Sequence, residues 1–137
     1  MADIKLSDNF SLYEFTDSSV AKAKKIDNIP DSTSINNIKI LVSKVLQPVR
    51  IKFSKPINVT SGYRSKELNK ELKGASSSQH LTGNAADITA GNKKLNKELW
   101  DTILLYGEYD QLIDEEDFKW IHVSYKNTGN RKQIIHL

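Results

Sequence analysis

From Ser34 onward the apolar residues Ile35, Ile38, Leu41, Val42, Val45, Leu46 and Val49 recur at spacings of three and four. That period lines one face of an amphipathic α-helix, so this segment is the main core helix of the chain. Pro48 carries no N–H and its ring clashes with the preceding turn, which predicts that the helix bends or ends there.

The elements around this helix follow from local pattern. Ser11-Leu12-Tyr13-Glu14 has the form of a capping box and predicts a short helix, with Phe10, Leu12 and Phe15 as anchors to the core. A polar stretch through Asp27, Asn28 and Ile29 leads to Pro30-Asp31-Ser32, a loop. Ile57 to Thr60 reads as a strand ended by Ser61-Gly62. Lys66 to Lys73 reads as a short helix with Leu68 and Leu72 on one face, Ser65 as N-cap and Gly74 as the left-handed closing residue. Ala85 to Thr89 alternates as a strand, and Asn92 caps a helix with apolar positions Leu95, Leu99, Trp100, Ile103 and Leu104. Tyr109 to Ile113 and Phe118 to Tyr125 predict a hairpin across the acidic loop Asp114 to Asp117, and the tail RKQIIHL an added edge strand. Helices and strands in this mixed order predict an α+β fold, a small mostly antiparallel sheet with helices packed against it.

At 137 residues the chain has room for one ordinary core, so residues 1–137 are expected to form a single domain. Hydrophobic residues make up 38% and charged residues 27%, the balance of a folded globular chain rather than a disordered one. Twenty Lys and Arg face 17 Asp and Glu, giving +3 and a pI near 9.0. The positive charge is scattered over many lysines and only three arginines, so no nucleic-acid partner is expected, while an anionic polymer such as a cell wall is allowed. The absence of cysteine excludes disulfides and thiolate metal sites, so any metal must be held by nitrogen and oxygen. No apolar run approaches the roughly 18 residues that span a bilayer, and no membrane partner is expected.

The segment Ser76 to Asp87, SSSQHLTGNAAD, places His80 and Asp87 seven residues apart across Gly83. Glycine lets the backbone turn sharply enough to bring the imidazole back over the start of the next strand. Strand alternation sends Asp87 to one face with Ala85 and Thr89, and in WIHVSY it groups His122 with Trp120 and Ser124. If those two strands are neighbours, Asp87 and His122 converge. Two His and one Asp can hold a zinc ion and leave a position open, where coordinated water reaches a pKa of about 7 and can attack an amide. Each residue taken alone is more often a loop histidine, a turn carboxylate or a half-buried strand histidine, and spacing does not overturn that.

The ordered set does carry a resemblance. Ser78-Gln79-His80, Gly83, Ala86 and Asp87, preceded by SGYRS and LN and followed by DQLI and WIHVSY, resembles the zinc D-alanyl-D-alanine carboxypeptidase and L-alanyl-D-glutamate endopeptidase family. The likeness runs from FSLYEF to Asn130-Arg131 and is strongest to the small phage and bacterial cell-wall branch. It implies a zinc held by His80, Asp87 and His122, in a fold shared with the signalling domain of Hedgehog proteins. It also implies that Arg64 faces the substrate carbonyl or carboxylate, that Ser78 contacts substrate, and that Gln79 and Trp120 line the pocket, with Asp110 and Gln111 near it. A guanidinium forms a charge-assisted fork to an oxyanion, which suits the role of Arg64.

One position departs from the family pattern. Many members carry a carboxylate three residues before the last histidine as general base, and here that residue is Lys119. The branch most similar has a glutamate shortly after DQLI, which points to Glu115, with Glu116 as its near equal. The implied activity is a zinc-dependent peptidase acting on peptidoglycan peptide stems, from a monomer. Lacking a secretory signal in MADIKLSDNF, the product is expected to stay in the cytoplasm until lysis, a pore or a virus particle takes it to the wall. The alternative kept open by Lys119 is a non-catalytic zinc-containing module that binds cell wall or belongs to a phage particle.

Overall fold

The computed structural model describes residues 3–137, and its centre is a five-stranded sheet of order β1-β2-β4-β3-β5. The strands are β1 (Asn58–Ser61), β2 (Ala85–Thr89), β3 (Gln111–Glu115), β4 (Trp120–Ser124) and β5 (Gln133–His136). Three of the four pairings are antiparallel; β5 runs parallel to β3 at the edge. The α+β architecture and the tail strand expected from the pattern are present.

The long helix packs on this sheet as expected, but Pro48 does not stop it. The chain runs through α3 (Ser32–Leu41), a π-helical turn (Val42–Leu46) and α4 (Gln47–Phe53) without a break. The Gln47 N–H donates to the Val42 carbonyl five residues back. This wider turn just before Pro48 takes up the missing donor and eases the ring out of the clash a regular α-turn would impose. Ile38, Leu41, Val42, Val45, Leu46 and Val49 are all buried, against Ala86 and Ile88 of β2, Leu112 of β3, and Ile121 and Val123 of β4. Each such side chain contributes about 1.5–3 kcal/mol by leaving water.

The capping box forms at α1 (Leu12–Thr16): the Ser11 N–H donates to Glu14 Oε2 at 2.7 Å, and Phe10, Leu12 and Phe15 are buried. A helix not foreseen follows, α2 (Ser19–Lys24), where Ser18 caps the Ala21 N–H and Lys25 closes the turn in the left-handed region. Only Ala21 of this helix is buried, so no apolar period betrays it.

In α5 (Lys66–Glu71) Ser65 caps as expected, but the left-handed residue is Lys73 (φ 58), not Gly74. Gly74 is needed for another reason: a Cβ there would lie 2.9 Å from Asn69 Cγ and 3.1 Å from Arg64 Nη1. In α6 (Lys93–Tyr106) Asn92 caps the Leu95 N–H, and Leu99, Trp100 and Ile103 are buried. Leu104, expected on that apolar face, is exposed.

The largest shift concerns the hairpin. β3 extends to Glu115 and the turn lies at residues 116–119, two residues beyond the acidic loop expected from the sequence. Glu116, Asp117 and Phe118 all have positive φ (49, 56 and 63). The turn is held because the Phe118 N–H donates to Asp114 Oδ1 at 2.6 Å, so Asp114 is a buried strand residue rather than a solvated loop carboxylate. This register brings Glu115 onto the sheet opposite Trp120. No helix among the described residues is long and apolar enough to cross a membrane.

Candidate metal centre

β2 and β4 are neighbours, and Asp87 stands directly opposite His122 in the antiparallel register. Their side chains share a face, and Asp87 Oδ1 lies 3.0 Å from His122 Nδ1. His80 enters from a 3₁₀ turn, Gln79–Thr82, that leads into β2, and its Nε2 lies 3.3 Å from the same carboxylate oxygen.

The turn is fixed to the core helix. Gly83 adopts φ 76, and a Cβ there would come within 2.5 Å of the Ser34 carbonyl of α3. A side chain is thus excluded by both backbone conformation and space. Asn37 of α3 donates to the Thr82 carbonyl at 2.8 Å. Ser78 Oγ accepts the His80 N–H at 3.2 Å, opening the turn.

The orientation of His80 is set from behind. Its Nδ1 lies 2.6 Å from the Gly62 carbonyl, an oxygen that can only accept, so Nδ1 donates to it and Nε2 is the ring nitrogen turned toward Asp87. Gly62 itself is pressed against α1, where an added Cβ would sit 2.6 Å from Phe15 Cα and from its carbonyl oxygen. Here the glycine serves close approach of backbone to backbone.

Asp87 is almost fully buried. Burial works to raise its pKa, but hydrogen bonds with His122 and His80 outweigh it and hold the carboxyl well below the ordinary range. The group is ionised. Its second oxygen, Oδ2, faces Arg64 Nη2 at 3.4 Å. Arg64 is held by Ser61 Oγ at Nε (3.1 Å) and Asn69 Oδ1 at Nη1 (3.4 Å), and its own N–H donates to the His80 carbonyl at 3.0 Å.

These donors suit a zinc ion. A tetrahedral site with bonds of roughly 2.0–2.2 Å separates its ligand atoms by about 3.4 Å, and the carboxylate lies 3.0 and 3.3 Å from the two imidazole nitrogens. All three donor atoms fall within 4.8 Å of one another. Two imidazoles and one buried carboxylate, with a backbone carbonyl orienting one ring, make a nitrogen–oxygen donor set of the kind zinc takes.

The cluster opens into a cleft of about 600 Å³. Arg64, Ser78, Gln79, Glu115 and Trp120 line it together with the three donor residues. Burial, and then the Asp87 charge, push the Glu115 carboxyl up from its ordinary value. Trp120 lies opposite Glu115 in register, and among the described residues its buried indole N–H has no hydrogen-bond partner in good geometry. Glu116 is not part of the cleft: it turns outward with positive φ and pairs at 3.7 Å with Lys119 across the exposed hairpin. A second cavity of about 650 Å³ is lined by α1, β1 and Arg64, and none of the three donor residues lines it.

Several site residues had no sequence signal of their own. Ser61 and Asn69 hold Arg64, the Gly62 carbonyl orients His80, and Lys126 and Arg131 join the cleft wall. Only SGYRS and LN hinted at the first three, as flanking motif.

A family model described as Peptidase M15 matches residues 8–124. The chain belongs to the peptidase M15 family. M15 enzymes are zinc metallopeptidases of the D-alanyl-D-alanine carboxypeptidase type, which agrees with the donor set of His80, Asp87 and His122 in this M15 peptidase. No curated protein matches the chain.

Proposed function

We propose that this M15 chain is a zinc-dependent peptidase that hydrolyses an amide bond in the peptide stems of peptidoglycan, as a wall-degrading enzyme of phage or prophage origin. The observation that carries the reading is the convergence of His80, Asp87 and His122 at the floor of a cleft whose walls hold Glu115 and Arg64. His80 Nε2, His122 Nδ1 and an Asp87 oxygen would hold the ion. Zinc bound there supplies Lewis acidity, which polarises the amide carbonyl and makes water a nucleophile near neutral pH.

The protein groups perform the rest. Glu115 takes a proton from the attacking water and delivers it to the nitrogen of the leaving amine as the C–N bond breaks. Its raised pKa suits both halves of that transfer. Arg64, held by Ser61 and Asn69, offers its guanidinium to the negative charge that develops on the carbonyl oxygen. Trp120 and Ser78 shape the walls against which the stem peptide lies.

Digestion of purified peptidoglycan, with mass analysis of the fragments, tests the reading. Expected are new free amino groups whose release stops with chelator and returns with zinc. Wall binding with about one zinc per chain and no released amines would replace it by the non-catalytic module that Lys119 left open.

A further inference from the structure

At one end of the cleft, away from Glu115 and Trp120, lie two cations that the peptidase chemistry above does not use. Arg131 and Lys126 both line the cleft, and both are organised by one carboxylate, Asp110, which is fully buried. Asp110 Oδ1 accepts the Arg131 backbone N–H and Nε at 3.0 Å each, and Oδ2 accepts Arg131 Nη2 at 2.7 Å. Lys126 Nζ is 4.0 Å from Oδ1. Among the described residues Arg131 Nη1 donates to no protein group, and the side chain is half exposed. Two cations against one carboxylate leave this end of the cleft with one net positive charge.

Gln79 links the cluster to the metal ligands. Its Nε2 donates to Asp110 Oδ2 at 3.0 Å, and since a carboxylate only accepts, the amide orientation is fixed. Among the described residues Gln79 Oε1 is therefore a buried acceptor without a partner, one residue from His80 in a side chain that lines the cleft. Native proteins seldom leave such an atom unpaired, so water or a ligand group completes it, and its place on the cleft wall lets a substrate N–H do so. An acceptor for an N–H beside cations for an anion matches one amino-acid unit that carries both an amide N–H and a carboxylate.

We propose that Arg131 and Lys126, set in place by Asp110, form a carboxylate-recognition subsite of the cleft, with Gln79 Oε1 accepting an N–H of the same substrate residue. The proposal rests on the peptidase reading and deepens it by naming what the substrate must bring. The carboxylate is either the C-terminus of a trimmed peptide or an acidic side chain within it. Arg131 is specific for the task because its planar fork is rigidly backed by Asp110, with Nη1 left to reach a second carboxylate.

The test uses short peptides in two matched pairs: free C-terminus against C-terminal amide, and, within amidated peptides, Glu against Gln. Binding is followed by calorimetry on the metal-free protein, which keeps the carboxylate from being drawn to zinc, and KM and kcat are followed on the zinc-loaded protein. Preference for the carboxylate member of one pair by on the order of five- to tenfold is expected, and which pair shows it identifies the source. Lys126→Met should reduce that ratio. Arg131→Lys, which keeps a cation on Asp110, should reduce it through KM with kcat retained. Equal binding of both members in both pairs, or a ratio unmoved by either variant, overturns the subsite. Carboxylate preference without any hydrolysis would overturn the peptidase reading and leave the subsite standing.

Discussion

Asp87 and His122 stand opposite each other on β2 and β4, and one carboxylate oxygen of Asp87 lies between His122 Nδ1 at 3.0 Å and His80 Nε2 at 3.3 Å. Two imidazole nitrogens that share one carboxylate oxygen this closely are coupled to it and to each other, so losing one should undo the site. His80→Ala is expected to reduce bound zinc from about one per chain to a small fraction, measured by elemental analysis after dialysis. Amide hydrolysis should vanish with it. Zinc should also raise the melting temperature of the unmodified protein and not of His80→Ala, because a ligand that binds only the folded state stabilises it.

Glu115 and Glu116 are adjacent in sequence, yet only Glu115 lines the cleft. Glu115→Gln should lower kcat by about two to four orders of magnitude with zinc content intact, the range for loss of a general base. Glu116→Gln, which removes only an exposed pair with Lys119, should leave kcat within about twofold. Equal losses in both variants would remove Glu115 from the role assigned to it.

Gly62 joins α1 to the candidate metal centre. Gly62→Ala would drive a methyl into the Phe15 backbone, and the carbonyl that orients His80 would shift with it. A stability loss of about 1–3 kcal/mol by denaturant titration is expected, with zinc affinity weakened about tenfold or more. Gly91→Ala is the control for added bulk: its φ is 112, so it carries backbone strain, but nothing lies within 4 Å of the new Cβ and zinc affinity should hold.

Asp110 gives the fold an acid sensitivity. Hydrogen bonds from Arg131 hold its carboxyl well below the ordinary range against the cost of burial. A group depressed in the folded state contributes stability above its unfolded pKa of about 3.9, and that contribution is lost as pH falls toward the folded value. Stability followed by urea titration should therefore drop below about pH 4, and Asp110→Asn should flatten that part of the profile. The same variant should cost about 1–3 kcal/mol at neutral pH, because the Arg131 contacts lose their charged acceptor.

Much of this molecule was legible before any coordinates. The period of Ile35 to Val49 specified a buried helix because a 3.6-residue repeat leaves one solution for where the apolar side chains go. The alternation in Ala85–Thr89 and in WIHVSY put Asp87 and His122 on definite faces for the same reason. Local chemistry alone also marked the caps at Ser11, Ser65 and Asn92. What period and propensity left open was whatever depends on a partner distant in the chain. Helix α2 buries a single alanine, so it has no pattern to read. Pro48 sits inside a helix because the core grips both sides of it and a π-turn relieves the clash. The hairpin turn slid two residues because Asp114 bonds the Phe118 N–H, and that slide alone separated Glu115 from Glu116. The pairing of β2 with β4, the Gly62 carbonyl behind His80 and the Asp110 hold on Arg131 are likewise contacts between residues 18 to 39 positions apart. The sequence by itself determined which side chains are fit to bind a metal and which faces are apolar, since those depend on residue type and local period. Tertiary structure decided which of them meet, since only packing sets distances between segments that the chain keeps far apart.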